Sequence, residues 1–358
     1  MKKTLIAVAA LSAMAASAMA ANVTVYGKID QGLQVQNVKK TGADSKTTFV
    51  GKSGISSGSR WGLKGTEEIA DGYTVGFVLE SGFDGFNGKS GQGSRLFGRD
   101  AFITVGTPFG QLVVGRTGML SDGCTGDIIS GKSSPFGTTY GIAAATTTTF
   151  NNIYGGRTDR AVRYVSPKFA GVQIHAEYAN MGVGQDGTGA AATDQAQKFP
   201  NKKRYGGIGV SYANGPLYVA VAAETVRQPA SVSTPDPKFY SLAANYDFGV
   251  AKVFAGYQYA KDTDPANNNT VFDKYNAGTL GVSAPVAGGT VMASVAYRKG
   301  DVGETDIKRM TGAIGYKYSL SKRTYLYTDV AYAKEEKKAA TKTSTKTTEF
   351  NVGLCHNF

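Results

Sequence analysis

Side-chain character alternates with a period of two along this chain, from Val23 to Phe358, and that limits its fold more than any other feature. Val23, Val25, Gly27, Ile29 and Leu33 share one face of an extended segment, and Thr24, Tyr26, Lys28 and Asp30 share the other. Leu217, Val219, Val221 and Ala223 stand opposite Tyr218, Ala220, Ala222 and Glu224 in the same way. So do Ala251, Val253, Ala255, Tyr257 and Tyr259 against Lys252, Phe254, Gly256 and Gln258. Around Val291 the set Val291, Ala293, Val295 and Tyr297 faces away from Met292, Ser294, Ala296 and Arg298. Such alternation predicts half-buried β-strands. The apolar face is thin and the other carries charge, whereas a soluble sandwich would have a bulkier inward face and shorter strands.

The connections sharpen this reading. Short turns are predicted at Ile69–Tyr73, Thr107–Gly110, Ser166–Gly171, Ala213–Pro216, Asp247–Gly249, Ala284–Gly289 and Ser319–Arg323. Between them fall longer polar loops at Asn37–Gly58, Asp84–Gly98, Thr117–Arg157, Asn180–Lys203, Val226–Pro237, Ala260–Thr270, Arg298–Asp306 and Ala333–Lys346. Seven turns and eight loops join sixteen strands. Short turns alternating with long loops, around an even strand number, is the pattern of an antiparallel transmembrane β-barrel. A barrel of about 16 strands encloses water instead of a packed core. Closure removes every strand edge, and lipid takes the apolar face.

The first residues place such a barrel in an export route. Lys2 and Lys3 precede an apolar stretch from Leu5, and Ala18-Met19-Ala20 offers a small-x-small cleavage site. Residues 1–20 therefore read as a signal peptide and 21–358 as the barrel. No later apolar run is long enough to span a bilayer as a helix. With 47 Gly, 20 Tyr and 17 Phe against one Trp and 10 Pro, the composition suits many strands, tight turns and aromatic girdles. Formal charge is +12, and losing Lys2 and Lys3 leaves +10. An excess of this size favours anionic partners. No basic run is continuous enough for a nucleic-acid arm, and Glu335-Glu336-Lys337-Lys338 reads as a mixed-sign solvated loop, so no nucleic-acid partner is expected. Only two cysteines occur, Cys124 and Cys355, too few for a disulfide framework or a Cys-rich metal site. They are expected to stay unpaired, because bridging needs Cα atoms within about 7 Å.

Several segments, in this order and spacing, resemble the general trimeric porins of β-proteobacteria and related Gram-negative bacteria. They are Val23-Thr-Val-Tyr-Gly-Lys-Ile-Asp30, Ser59-Arg-Trp-Gly-Leu-Lys-Gly-Thr-Glu67, Phe109-Gly-Gln-Leu-Val-Val-Gly-Arg116, Arg163-Tyr-Val-Ser-Pro-Lys-Phe-Ala-Gly171 and Val352-Gly-Leu-Cys-His-Asn-Phe358. The resemblance covers nearly all of 21–358. It implies a homotrimer of sixteen-stranded barrels in the outer membrane, each passing small hydrophilic solutes by passive diffusion. The third external loop, here Thr117–Arg157, would fold into the lumen. Residue by residue, the family's basic wall maps to Arg60, Arg99 and Arg157, and alternation adds Arg163 and Lys64. Acidic partners on the loop would be Asp122 and Asp127. Arginines in a narrow aqueous neck favour anions and stay charged at any physiological pH. The resemblance also makes Phe358, in phase with Phe350, Val352, Leu354 and His356, an assembly signal for the barrel-assembly machinery. Outer-membrane lipid and lipopolysaccharide are the expected surroundings; no cofactor or metal is expected.

Other patterns carry less. Gly182-x-Gly184-x-x-Gly187 has no helix pattern after it, so it reads as loop and not as a dinucleotide site. Asn22-x-Thr24 and Asn268-x-Thr270 match glycosylation acceptors without meaning in a bacterial export route. His175 and His356 lie far apart, outside any nucleophile context, and read as structural. Asp84, Asp122 and Asp127 lack the spacing of a compact Ca²⁺ loop. Three alternatives are weaker: a barrel enzyme would need fewer strands and a Ser/His or Asp/His constellation, a soluble exported binding module would need a packed core, and a substrate-specific channel would need a solute track the sequence does not show.

Overall fold

The computed structural model describes residues 23–121, 124–144, 156–181, 203–228, 235–263 and 272–358. The predicted signal peptide lies outside the described residues. Among the described residues seventeen strands follow one another: β1 (Thr24–Lys40), β2 (Lys46–Ser53), β3 (Arg60–Ala70), β4 (Tyr73–Gly82), β5 (Asp100–Thr107) and β6 (Gly110–Gly118). After the longest connection come β7 (Arg157–Val165), β8 (Val172–Met181), β9 (Lys203–Asn214), β10 (Leu217–Arg227) and β11 (Lys238–Asp247). The rest are β12 (Lys252–Lys261), β13 (Lys274–Val286), β14 (Gly289–Val302), β15 (Thr305–Ser319), β16 (Thr324–Lys338) and β17 (Lys342–Asn357). Each pairs antiparallel with its neighbour in sequence except β2 with β3, and β1 closes the ring against β17.

Seventeen strands make a sixteen-walled barrel because β2 and β3 share one wall. β2 pairs with residues 31–38 of β1, and β3 pairs with residues 24–28. Between them the chain leaves the wall at Gly54–Ser59. Gly54 takes φ +74°, a backbone shape that glycine adopts without steric cost.

Burial is inverted relative to a soluble domain. Val25, Ile103, Val162, Ile208, Val221, Leu280, Val295, Ile314 and Phe350 are exposed, while Asp30, Glu80, Arg163, Glu177, Glu224, Gln258, Asp329, Glu349 and Asn351 are buried. Outward apolar and inward polar side chains alternate as the sequence predicts, which is how a strand satisfies lipid on one side and water on the other. Among the described residues no helix is long and apolar enough to cross a membrane.

The expected loops at Asn37–Gly58, Arg298–Asp306 and Ala333–Lys346 are largely strand. β1 runs to Lys40 and β2 occupies 46–53; β14 and β15 meet across Gly303 and Glu304; β16 reaches Lys338, so Glu335-Glu336-Lys337-Lys338 is strand and not loop. Here the outer face meets water, so both faces are polar and the hydrophobic cue disappears while the hydrogen-bonded ladder continues.

The segment Cys124–Ala144 after β6 lies against inward faces of the wall. Tyr218 of β10 donates its hydroxyl to the carbonyl of Ile128 at 2.9 Å, and Asn245 of β11 donates to that of Lys132 at 3.0 Å. Ser294 of β14 reaches the Ala143 carbonyl at 3.4 Å, and the Ile142 N–H donates to Glu349 of β17 at 3.2 Å. Phe136 and Tyr140 pack with Ile55, Met292, Tyr327 and Cys355. The segment therefore touches the lumen side from β10 round to β17. Burial raises the pKa of the Tyr140 phenol, so this cluster is uncharged around neutral pH.

Candidate functional site

Arg60 opens β3 on the inward face, opposite the exposed Trp61. Its guanidinium lies 3.5 Å from Glu80 of β4, and Arg99, just before β5, lies 2.6 Å from the same carboxylate. Tyr26 of β1 also donates to Glu80, at 3.1 Å. Arg157, the first residue of β7, is buried within electrostatic reach of Arg60 and of Asp100. Asp100 accepts the Thr125 hydroxyl at 2.5 Å. Three guanidiniums thus stand near two carboxylates, one of which two arginines share. Lys28 adds a further cation within reach of Arg60 and Arg99.

The other expected residues are placed differently. Arg163 lies inward on β7, directly across from Glu177 of β8, at 2.5 Å, with both side chains almost fully buried. It also donates to the carbonyls of Thr125, at 3.0 Å, and Gly118, tying the root of the long connection to the wall. Lys64 is exposed, its ammonium 5.2 Å from the centre of the Tyr26 ring. Asp127 accepts the backbone N–H groups of Ile129, Ser130 and Gly131 at 3.0, 2.9 and 2.6 Å. Asp122 lies outside the described residues, as do Gly182, Gly184 and Gly187.

A second basic group sits further along the inward faces of β14, β15 and β16. Arg298 and Arg309 approach one oxygen of Glu335 at 3.4 and 3.3 Å, and Lys337 approaches the other at 3.8 Å. Arg298 stacks 4.8 Å from the centre of the Phe272 ring, which fixes the plane of its guanidinium. The inward carboxylates of the opposite kind are covered. Asp329 and Glu349 are buried, both accept from Asn351 at 3.0 Å, and Glu349 takes Gln36 at 2.9 Å as well as the Ile142 N–H.

Asp84 accepts the Phe86 N–H at 2.8 Å. His175 pairs with the Ser211 hydroxyl and His356 with that of Thr324, both at 2.9 Å. Neither cysteine forms a disulfide. Cys355 sits on β17 within the aromatic cluster, and Cys124 lies beside Gly118 of β6. Among the described residues no three His, Cys, Asp or Glu side chains gather as a metal site. Phe358 exchanges two backbone hydrogen bonds with Gly27, at 3.0 and 3.1 Å. Its ring covers Gly27 so closely that a Cβ there would collide with it.

Sequence reasoning missed Glu80, Glu335 and the role of Asp30. Glu80 was legible as a charge on the inward phase of β4. Glu335 was not, because the hydrophobic alternation that sets phase has faded there.

A profile of the Gram-negative porins matches residues 7–338. An outer membrane porin protein of Bordetella pertussis is 32% identical over 403 residues, covering all of both chains. Outer membrane porin protein 32 of Delftia acidovorans is 32% identical over 342 residues, covering 94% of this chain and 90% of its own. Among solved structures, an anion-selective porin from Comamonas acidovorans superposes with a TM-score of 0.66 at 25% identity, covering 94% of this chain and 100% of its own.

Proposed function

This chain belongs to the Gram-negative porin family and is an outer-membrane channel, and we propose that it passes small hydrophilic solutes passively with a preference for anions. The observation that carries the preference is the shortage of carboxylates beside the inward cations. Arg60 and Arg99 share Glu80, and Arg298, Arg309 and Lys337 share Glu335. Within a narrow aqueous passage such surplus positive charge lowers the energy of an anion and raises that of a cation. Arg60, Arg99 and Arg157 form the basic wall of the neck in this reading, and Cys124–Ala144 forms the opposing side. Arg163 supports that neck from behind. Lys64 contributes a more distant cation, Asp127 belongs to the loop opposite, and Asp122 is assigned to the same loop by sequence alone. The similar porin from Comamonas acidovorans being anion-selective supports the same reading. The test is a planar bilayer with a potassium chloride gradient. The reversal potential should have the sign of chloride permeation, and a potassium sign would refute the preference.

The remaining features follow from resemblance to trimeric porins. Export uses residues 1–20, the barrel-assembly machinery inserts the chain into a membrane bearing lipopolysaccharide, and the working unit is a homotrimer. Phe358, seated on Gly27 at the β1–β17 seam, serves as the assembly signal. Deleting it should reduce the trimer band on unheated gels of outer membranes; an unchanged band would make it one more lipid-facing ring.

A further inference from the structure

Gly54–Ser59, where the shared wall breaks, touches both sides of the neck. On one side the Gly58 carbonyl accepts from Arg60 at 3.2 Å, and a Cβ at Gly58 would lie 3.3 Å from the Arg99 guanidinium. On the other, the carbonyls of Ile55 and Ser56 accept the Tyr140 N–H and the Thr139 hydroxyl from the long connection. The segment is itself held from behind by one side chain. Asp30 of β1 is fully buried. One of its carboxylate oxygens accepts the Ser56 N–H at 3.0 Å, the Ser56 hydroxyl at 2.5 Å and the Ser57 N–H at 2.8 Å. The other accepts the Tyr327 hydroxyl at 2.6 Å. Tyr327 packs edge-on against Tyr140, with ring centres 5.5 Å apart. The Asp30 backbone joins in: its carbonyl takes the Gly54 N–H at 2.9 Å, and its N–H donates to the Ser59 hydroxyl at 3.0 Å.

We infer that Gly54–Ser59 is a second inward element of the constriction and that Asp30 is the positioning residue that sets it. On this account the bore is fixed at the junction of three pieces: the arginine wall, the broken strand and the long connection. The inference rests on the pore reading given above. Three hydrogen bonds from the segment to one carboxylate, with a fourth that ties the same carboxylate to Tyr327, hold it more firmly than neutral bonds would. The loop at the junction is under backbone strain, since Tyr140 has φ +70°, a left-handed conformation that costs a bulky residue energy unless neighbours enforce it. Loosening the segment would release that strain and let Cys124–Ala144 move.

The test is single-channel recording of the full-length protein carrying Asp30→Asn, which keeps the side-chain shape and removes its charge. A second variant, Ser56→Ala, removes the hydroxyl's bonds to Asp30 and Tyr325 and leaves the carboxylate and its two backbone N–H donors in place. Weakening the charge-assisted bonds should raise the time spent in reduced-conductance substates about tenfold in Asp30→Asn. Ser56→Ala should give a smaller rise in the same direction. Folded trimer on unheated gels serves as the control for a purely structural loss. Records from both variants that match the wild type in substate dwell and open-channel noise would overturn the inference. A wild type that conducts nothing would instead sink the pore reading.

Discussion

Two inward arginine sites differ in how their carboxylates are shared and in how far water reaches them. At Arg163 each charge has its own partner: Glu177 lies directly across the β7–β8 pair, and both side chains are nearly sealed from solvent. At Arg60 and Arg99 two guanidiniums divide one carboxylate, and both keep part of their surface in water. The first arrangement is neutral and holds the chain; the second leaves positive charge where an ion can feel it. An inward arginine is therefore a selectivity group only when its carboxylates are outnumbered and water reaches it.

Breaking the sealed pair should have the largest effect. Arg163→Met leaves Glu177 buried with Thr158 as its remaining donor, at 2.8 Å. Removing one partner of a buried pair costs about 3–5 kcal/mol. The urea midpoint of the folded barrel should fall accordingly, and an unchanged midpoint would mean the pair is not what anchors this wall. Reversing charge at the shared site acts on permeation instead. Arg60→Glu should cut the chloride-to-potassium permeability ratio by at least about tenfold, since one reversed charge changes the energy of an ion about 4 Å away by about 2 kcal/mol in water before screening, with opposite sign for the two ions, and tenfold needs only about 1.4 kcal/mol. Lys338→Glu, at the outer end of β16, should do far less; equal effects would place selectivity outside the neck. The smallest change is Glu80→Gln, which frees both arginines from their shared carboxylate. It should raise the same ratio by about threefold, and a lowered ratio would contradict the sharing argument.

The barrel was legible because lipid imposes period-two alternation wherever a strand crosses it, as in Val291–Arg298 and Phe350–Phe358. Legibility ended where lipid ended. The outer reaches of β1, β14, β16 and β17 are polar on both faces, so Glu335 and Lys337 read as loop although they are strand. The candidate site was legible in two ways: the family resemblance gave Arg60, and the inward phase of β7 gave Arg163. Their difference depends on register: Arg163 faces Glu177 across a strand pair, and Arg99 reaches Glu80 from outside β5. Register is a property of neighbouring strands that local alternation does not encode. The broken wall at Gly54–Ser59 was hidden for a related reason. A glycine- and serine-rich stretch reads as an external loop, and the hydrogen bonds from Asp30 and from the long connection that hold it inward join residues far apart in sequence.

Uncompensated positive charge at the neck sets the anion preference, and its ionic-strength dependence tests this most directly. The chloride-to-potassium ratio of the wild type is to be read from reversal potentials at a fixed tenfold gradient, with mean salt stepped from about 0.1 M to about 1 M, over which the screening length falls from about 10 Å to about 3 Å. A ratio that favours chloride in dilute salt and declines steadily towards unity as salt rises is the predicted result. A ratio that stays constant across the series, or that favours potassium in dilute salt, would contradict it.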